Sequence, residues 1–157
     1  MKEQLSYEID NVDRNILSLL QHNARKPYTE IAKKAFVSSG TVHVRMNKLE
    51  KIGVVEGASL DLNLKALGYT VSAFLGVFLS KSSLYNQVAE HLKDIPQITS
   101  IHYTTGNYSM FVRIFAKDTD DLKDILSESI QNIEGIERTE TFIILEQTLN
   151  RNVSLVS

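Results

Sequence analysis

Apolar positions in the first third of the chain recur at helical spacing. In IDNVDRNILSLLQHN, residues Ile9, Val12, Ile16, Leu19 and Leu20 share one helical face, with Asp10 placed to cap it and Asp13 three residues on. Pro27 interrupts the pattern, after which Thr29 is expected to cap a short helix, TEIAKKA, with Ile31, Ala32 and Ala35 turned inward. SSGTVHVRMNKLEKIG then sets Val42, Met46, Leu49 and Ile52 on one stripe, capped by Ser38 and stopped by Gly53. Three short helices, the last two joined by a tight turn, make a helix-turn-helix. VVEGASLDL follows, alternating around Gly57 as a short hairpin or wing would.

The rest of the chain mixes the two periods. Val71, Ala73, Leu75, Val77 and Leu79 alternate as on a strand, and Leu84, Val88, Leu92 and Ile95 follow at helical spacing. Thr99, Ile101 and Tyr103 share a face of a second strand, and Met110, Val112, Ile114 and Ala116 alternate on a third. Leu122, Ile125, Leu126, Ile130 and Ile133 stripe a second helix, and Thr139, Thr141, Ile143 and Leu145 alternate on a fourth strand. The order β-α-β-β-α-β predicts a ferredoxin-like sandwich, so the expected class is α+β. A winged helix-turn-helix is expected over residues 1–60, a linker or connecting strand over 61–68, and the sandwich over 69–157. The opposite strand positions include Phe74, Phe78, Phe111, Phe115, Phe142 and Ile144, too apolar for a solvated sheet face. Either a second subunit covers them or a loop or the C-terminal tail does.

Charge sharpens the reading of the helical part. The 157 residues carry a formal net charge of −2. Arg25 to Lys51 nevertheless holds seven basic residues against two acidic ones. Such a run is either a solvated helical face or a local polyanion footprint. Ser39, Gly40 and Thr41 open the third helix with small side chains, letting backbone N–H groups and hydroxyls approach a phosphate or base edge. His43, Val44, Asn47 and Lys48 add hydrogen-bonding and methyl-contacting groups suited to a major groove. With Arg25, Lys26, Ser38 and Arg45 they form the candidate contact set for double-stranded DNA.

Other chemistries find little support. There is no cysteine, and His22, His43, His91 and His102 form no metal-ligand pair. Asp118, Asp120, Asp121 and Asp124 cluster where a helix starts and acids favour its dipole. No nucleophile motif or phosphate-cradling glycine loop is present, so no enzyme activity and no required cofactor are expected. The start, MKEQLSYEIDN, lacks a signal-length apolar segment and VSAFLGVFL is too short to span a bilayer, so a cytoplasmic location without membrane association is expected.

The N-terminal residues resemble the helix-turn-helix of the Lrp/AsnC (feast/famine) transcription regulators. The positions that carry the resemblance are Asp10, Asp13, Ile16, Leu17, Arg25, Glu30, Ile31, Ala32, Val37, Ser38, Val42, Arg45, Leu49, Glu50 and Gly53. The second half is similar to the effector-sensing and assembly domain of that family, known as RAM. The resemblance implies a homodimer that reads DNA, assembly into octamers or similar rings, and modulation by an amino acid. In TTGNYSMF, Gly106 permits a tight turn between the two central strands, with Thr104, Thr105, Asn107, Tyr108 and Ser109 supplying donors and acceptors. By chemistry alone this is a polar hairpin; by resemblance it lies beside the effector pocket. The family turn runs Gly-Asp-aromatic-Asp, and here Asn107 and Ser109 replace both acids, removing a partner for an ammonium group. Different, weak or absent sensing all remain open. Phe142, Ile143 and Ile144 match the strand bordering that pocket or are simply core. The expected function is a sequence-specific DNA-binding regulator; a ligand-binding oligomer without operator recognition is the alternative.

Overall fold

A computed structural model describes residues 7–156. The chain divides into two compact units: residues up to Asp61 together with the segment from Leu149, and Leu62–Thr148. The terminal segment, which the pattern above assigns to the sandwich, thus goes with the helical unit.

The first unit holds α1 (Asn11–His22), α2 (Tyr28–Ala35) and α3 (Ser39–Lys51). Asp10 and Asp13 cap α1 reciprocally, each carboxylate accepting the other residue's backbone N–H. The second helix begins before Thr29, with Pro27 at the cap position. Proline has no N–H to satisfy and a φ already near the helical value, and its carbonyl accepts from Glu30 and Ile31 at 3.0 and 3.2 Å. Ile16, Ile31, Val42 and Leu49 are fully buried where the three helices meet. Ile52 is not part of this core and is 38% exposed. The helix ends before it and reverses through Gly53 at φ +77, with Gly53 N–H bonded to the Glu50 carbonyl and Val54 N–H to the Leu49 carbonyl.

Between Lys51 and Val71 there is no strand, so the hairpin expected around Gly57 is absent. Its alternation has no sheet face to bury against within this chain: apart from half-buried Val55, residues 53–63 are exposed. An isolated two-stranded ribbon is marginal in water.

The second unit follows the expected order: β1 (Val71–Leu79), α4 (Tyr85–Lys93), β2 (Ile98–Tyr103), β3 (Met110–Ala116), α5 (Thr119–Asp124) and β4 (Ile136–Ile143). The strands lie in the order β2-β3-β1-β4, with all neighbours antiparallel. Leu75, Val77, Val112 and Ile114 from the two inner strands pack with Val88 and Leu92 of α4. Because β2 is an edge strand, the Gly106 turn joins an edge strand to a central one rather than two central strands. A register shift between Ile98 and Ser100 changes the phase of β2, so Ile98 and Ile101 both meet the core while Thr99 is exposed; Tyr103, at the end of the strand, is also exposed, its ring centre 4.3 Å from that of Tyr85. Helix α5 continues as a π-helical stretch, Ile125–Ile130, whose two end residues, five apart, are both buried. Leu145 lies beyond β4 and is 93% exposed.

The face of the sheet opposite α4 carries Phe74 and Phe142, paired across β1 and β4 and both exposed, with half-buried Phe78, Phe111 and Phe115 around them. Arg113 stands among them, its guanidinium 4.9 Å from the Phe115 ring centre and 5.7 Å from that of Phe74.

Candidate nucleic-acid interface and effector loop

Ser38 ends the turn before α3 in an extended conformation, and its hydroxyl accepts the Thr41 N–H at 3.0 Å. The two hydroxyls of Ser38 and Thr41 also meet at 2.8 Å, so one cap orders both. Burial of Val42, Met46 and Leu49 turns the opposite side of the helix outward. Gly40, His43, Val44, Asn47 and Lys48 are all exposed there, at spacings that make one continuous face, while Ser39 and Thr41 are half-buried at its start. Two of these residues are steadied by neighbours. The His43 ring meets Tyr28 edge to face at 4.6 Å, and Lys48 Nζ stands 3.9 Å from the centre of the Tyr7 ring.

Arg45 behaves differently from its sequence-based assignment. One guanidinium nitrogen donates to Asp10 Oδ2 at 2.7 Å and to Asp13 Oδ1 at 2.8 Å. Asp13 is fully buried, and its other oxygen accepts the Tyr7 hydroxyl at 2.6 Å. Arg45 is therefore a tie between α3 and the start of α1, and its charge is neutralised inside the unit. The reason is that α1 presents a buried carboxylate that needs a cation. The pattern Asp10-x-x-Asp13 was legible as a cap; that it also receives an arginine from 32 residues on is visible only in three dimensions.

The electrostatics of this cluster are mutually reinforcing. The Asp13 backbone N–H, and after it the Arg45 guanidinium, hold the Asp10 carboxyl below the ordinary carboxylate value. The hydrogen bond that Tyr7 donates to Asp13 holds its phenol above the ordinary value. Hydrogen bonds from Arg45 to both acids raise its own already high pKa further.

Arg25 and Lys26 lie in the loop between α1 and α2, Arg25 exposed and Lys26 half-buried, with the Arg25 N–H bonded to the Asn23 side chain at 2.9 Å. Lys33 and Lys34, in the last turn of α2, are exposed and extend the basic segment beyond the candidate contact set. Phe36 lies outside that set too. It sits in the turn with φ +55 and is 94% exposed.

In the second unit the predicted effector residues separate into two groups. Thr105, Gly106 and Asn107 form the exposed tip of the turn, with Gly106 at φ +103. Tyr108 and Ser109 fold back onto the sheet instead. Ser109 N–H donates to the Val77 carbonyl at 2.9 Å, and the Tyr108 hydroxyl donates to Glu140 Oε2 at 2.6 Å. That bond, with burial second, raises the Tyr108 phenol pKa. The Tyr108 ring crosses β1 directly over Gly76: a Cβ there would lie 2.5 Å from its nearest ring carbon. Glycine is thus what lets the tyrosine reach β4. The other oxygen of Glu140 accepts Arg138 at 2.7 Å, and the Arg138 guanidinium stacks 3.5 Å from the Phe78 ring centre. Gly76, Arg138 and Glu140 were missed because no sequence spacing links them to the turn. Phe142 and Ile143 are exposed at the end of β4, and half-buried Ile144 continues it with an N–H bonded to the Ser72 carbonyl. Two cavities of about 620 and 770 Å³ occur in the first unit, and no predicted effector residue lines either. Among the described residues no cluster of acids and histidines could hold a metal, and no helix is long and apolar enough to cross a membrane.

Comparison with known proteins matches both units. Residues 9–50 fit a family model described as the AsnC-type helix-turn-helix domain, and residues 72–153 fit the Lrp/AsnC ligand binding domain. The regulatory protein AsnC of Escherichia coli K12 is 40% identical over 148 residues, covering 94% of this chain and 97% of its own. The solved structure of E. coli AsnC superposes with a TM-score of 0.89 at 39% identity, over 94% of this chain and 99% of that one. A feast or famine regulatory protein from M. tuberculosis, solved in complex with L-methionine, superposes with a TM-score of 0.85 at 27% identity, over 91% and 96% of the two chains.

Proposed function

Since this chain belongs to the Lrp/AsnC family of transcription regulators, we propose that it binds specific sites on double-stranded DNA as a homodimer and that an amino acid or similar small molecule modulates that binding. The observation that carries the proposal is the outward face of α3, with Gly40, His43, Val44, Asn47 and Lys48 continuous and exposed on an AsnC-type helix-turn-helix. Residues 1–60 read DNA in this account, 61–68 connect, and 69–157 assemble and sense. Arg25 and Lys26 supply phosphate contacts, and Ser38, Ser39 and Thr41 order the N-terminal turn that enters the groove. Arg45 supports that helix from behind.

Assembly is supported by the aromatic sheet face. Phe74 and Phe142 expose adjacent rings where inner strand β1 meets edge strand β4, an apolar patch of the kind that a second copy buries. Two copies then present two α3 helices to half-sites about one helical turn apart or a multiple of it. The resemblance to the family supports stacking of dimers into an octamer or related ring in this reading. Effector sensing is supported by the match of residues 72–153 to a ligand binding domain and by the relative bound to L-methionine. The turn tip Thr105–Gly106–Asn107, with Tyr108, Ser109 and the end of β4 behind it, borders the effector in this reading. No catalysis is assigned, no cofactor is required, and the setting is the cytoplasm.

The test is selection of bound fragments from random and genomic DNA by the purified protein, with and without each of the twenty amino acids. A palindromic site whose occupancy shifts with one amino acid is expected, with log affinity falling by about 0.9 per phosphate contact for each unit of log salt. Enrichment of no fragment refutes the regulator assignment. A site that none of the amino acids shifts refutes amino-acid sensing alone.

A further inference from the structure

Phe36 combines a strained backbone with a ring that the fold leaves bare. Its backbone is left-handed, at φ +55 and ψ +43, a conformation that suits glycine and strains a residue with a Cβ. Its ring gains nothing in return from the fold, because 94% of the residue is open to water. Either feature alone is ordinary; together, on one residue of the turn that leads into α3, they mark a side chain whose contact lies outside the chain.

The surroundings say what that contact is. Phe36 follows the exposed Lys33 and Lys34 by three and two residues and precedes the Ser38 cap by two. Standing in sequence between two exposed lysines and a hydroxyl-rich helix start, the ring suits a surface that alternates anions with apolar sugar edges. The aromatic ring also explains why glycine, the residue best suited to φ +55, is not there: glycine offers no apolar surface.

We propose that Phe36 is a DNA contact, its ring packed on the deoxyribose flank of the groove that receives α3, while Lys33 and Lys34 hold the adjoining phosphates. This rests on the regulator reading above and extends its contact set to three residues of the α2–α3 turn region. An apolar contact of this kind contributes affinity without neutralising a phosphate, so it leaves no trace in the salt dependence.

The experiment uses the full-length protein, a fluorescein-labelled duplex carrying the site recovered by selection, and the variants Phe36→Gly and Phe36→Asn. Both replacements tolerate the left-handed backbone, so both are expected to raise the melting temperature while weakening DNA binding by about fivefold or more. The slope of log affinity against log salt should be unchanged in both, whereas Lys34→Ala should reduce it by about one. Unchanged affinity in the two Phe36 variants, with wild-type binding intact, overturns this proposal and leaves the regulator reading standing. A wild-type protein that retains no duplex overturns both.

Discussion

Arg45 is the residue for which pattern and structure make opposite predictions. As a groove contact, its removal would weaken DNA binding and leave the fold intact; as the partner of Asp13, its removal should do the reverse first. In Arg45→Met the fully buried Asp13 carboxylate keeps the Tyr7 hydroxyl and the Asp10 N–H but loses its only cation among the described residues. Severing a buried ion pair from one side costs about 3–5 kcal/mol. The Arg45 side chain retains a quarter of its exposure, and the Asp10 half of the pair is wetter still, so the expected loss is about 2–4 kcal/mol. For a helical unit of this size that is a large part of its whole stability, on the order of 5 kcal/mol. Urea denaturation followed by far-ultraviolet circular dichroism should show an early loss of helix while the sheet unit persists. Adding Asp13→Leu should recover much of the loss, since the stranded carboxylate and not the missing guanidinium is the problem. An unfolding free energy within about 0.5 kcal/mol of wild type, coupled to a loss of operator affinity, would refute the argument and restore Arg45 to the groove.

Other consequences can be checked with the same protein. Gly76→Ala puts a methyl group 2.5 Å from the Tyr108 ring, and overpacking of this kind is expected to cost about 1–3 kcal/mol of sheet-unit stability and to disturb any effector response; thermal unfolding and ligand titration report the two effects. The Asp10 carboxyl, held below its ordinary value in the fold, stabilises the protein at neutral pH, and that contribution disappears as pH falls from about 4 through the lowered value. The stability difference between wild type and Asp10→Asn should therefore narrow as pH falls below about 4, and a gap that does not narrow on acidification would contradict the assignment. Phe74→Lys, on the exposed aromatic sheet face, should convert the assembled protein to smaller species in analytical ultracentrifugation; an unchanged mass would locate the subunit contact elsewhere.

Much of the architecture was legible along the chain because it depends on local periods. The stripe through Val42, Met46 and Leu49 declares a helix, the alternation from Val71 to Leu79 declares a strand, and Ser38 and Gly53 punctuate α3 by chemistry that acts within a few residues. Where a neighbour in space decides, the pattern misled. The alternation around Gly57 has no strand beside it, the β2 bulge put Thr99 out of phase with core-facing Ile101, and Pro27 displaced Thr29 as the start of α2.

The candidate sites divide along the same line. The outward face of α3 follows from its inward one, so His43, Val44, Asn47 and Lys48 could be named without coordinates. The fate of Arg45 depended on a carboxylate delivered by another helix, and that of Tyr108 on a glycine in β1 and a glutamate in β4. Sequence alone determined the three helices, the strands and helices of the sandwich and their order, because hydrophobic period and capping are short-range properties, and its motif residues carried the resemblance to the family. Tertiary structure alone decided which charges are free and which are already paired, because ion pairs and aromatic contacts join residues that the chain keeps far apart.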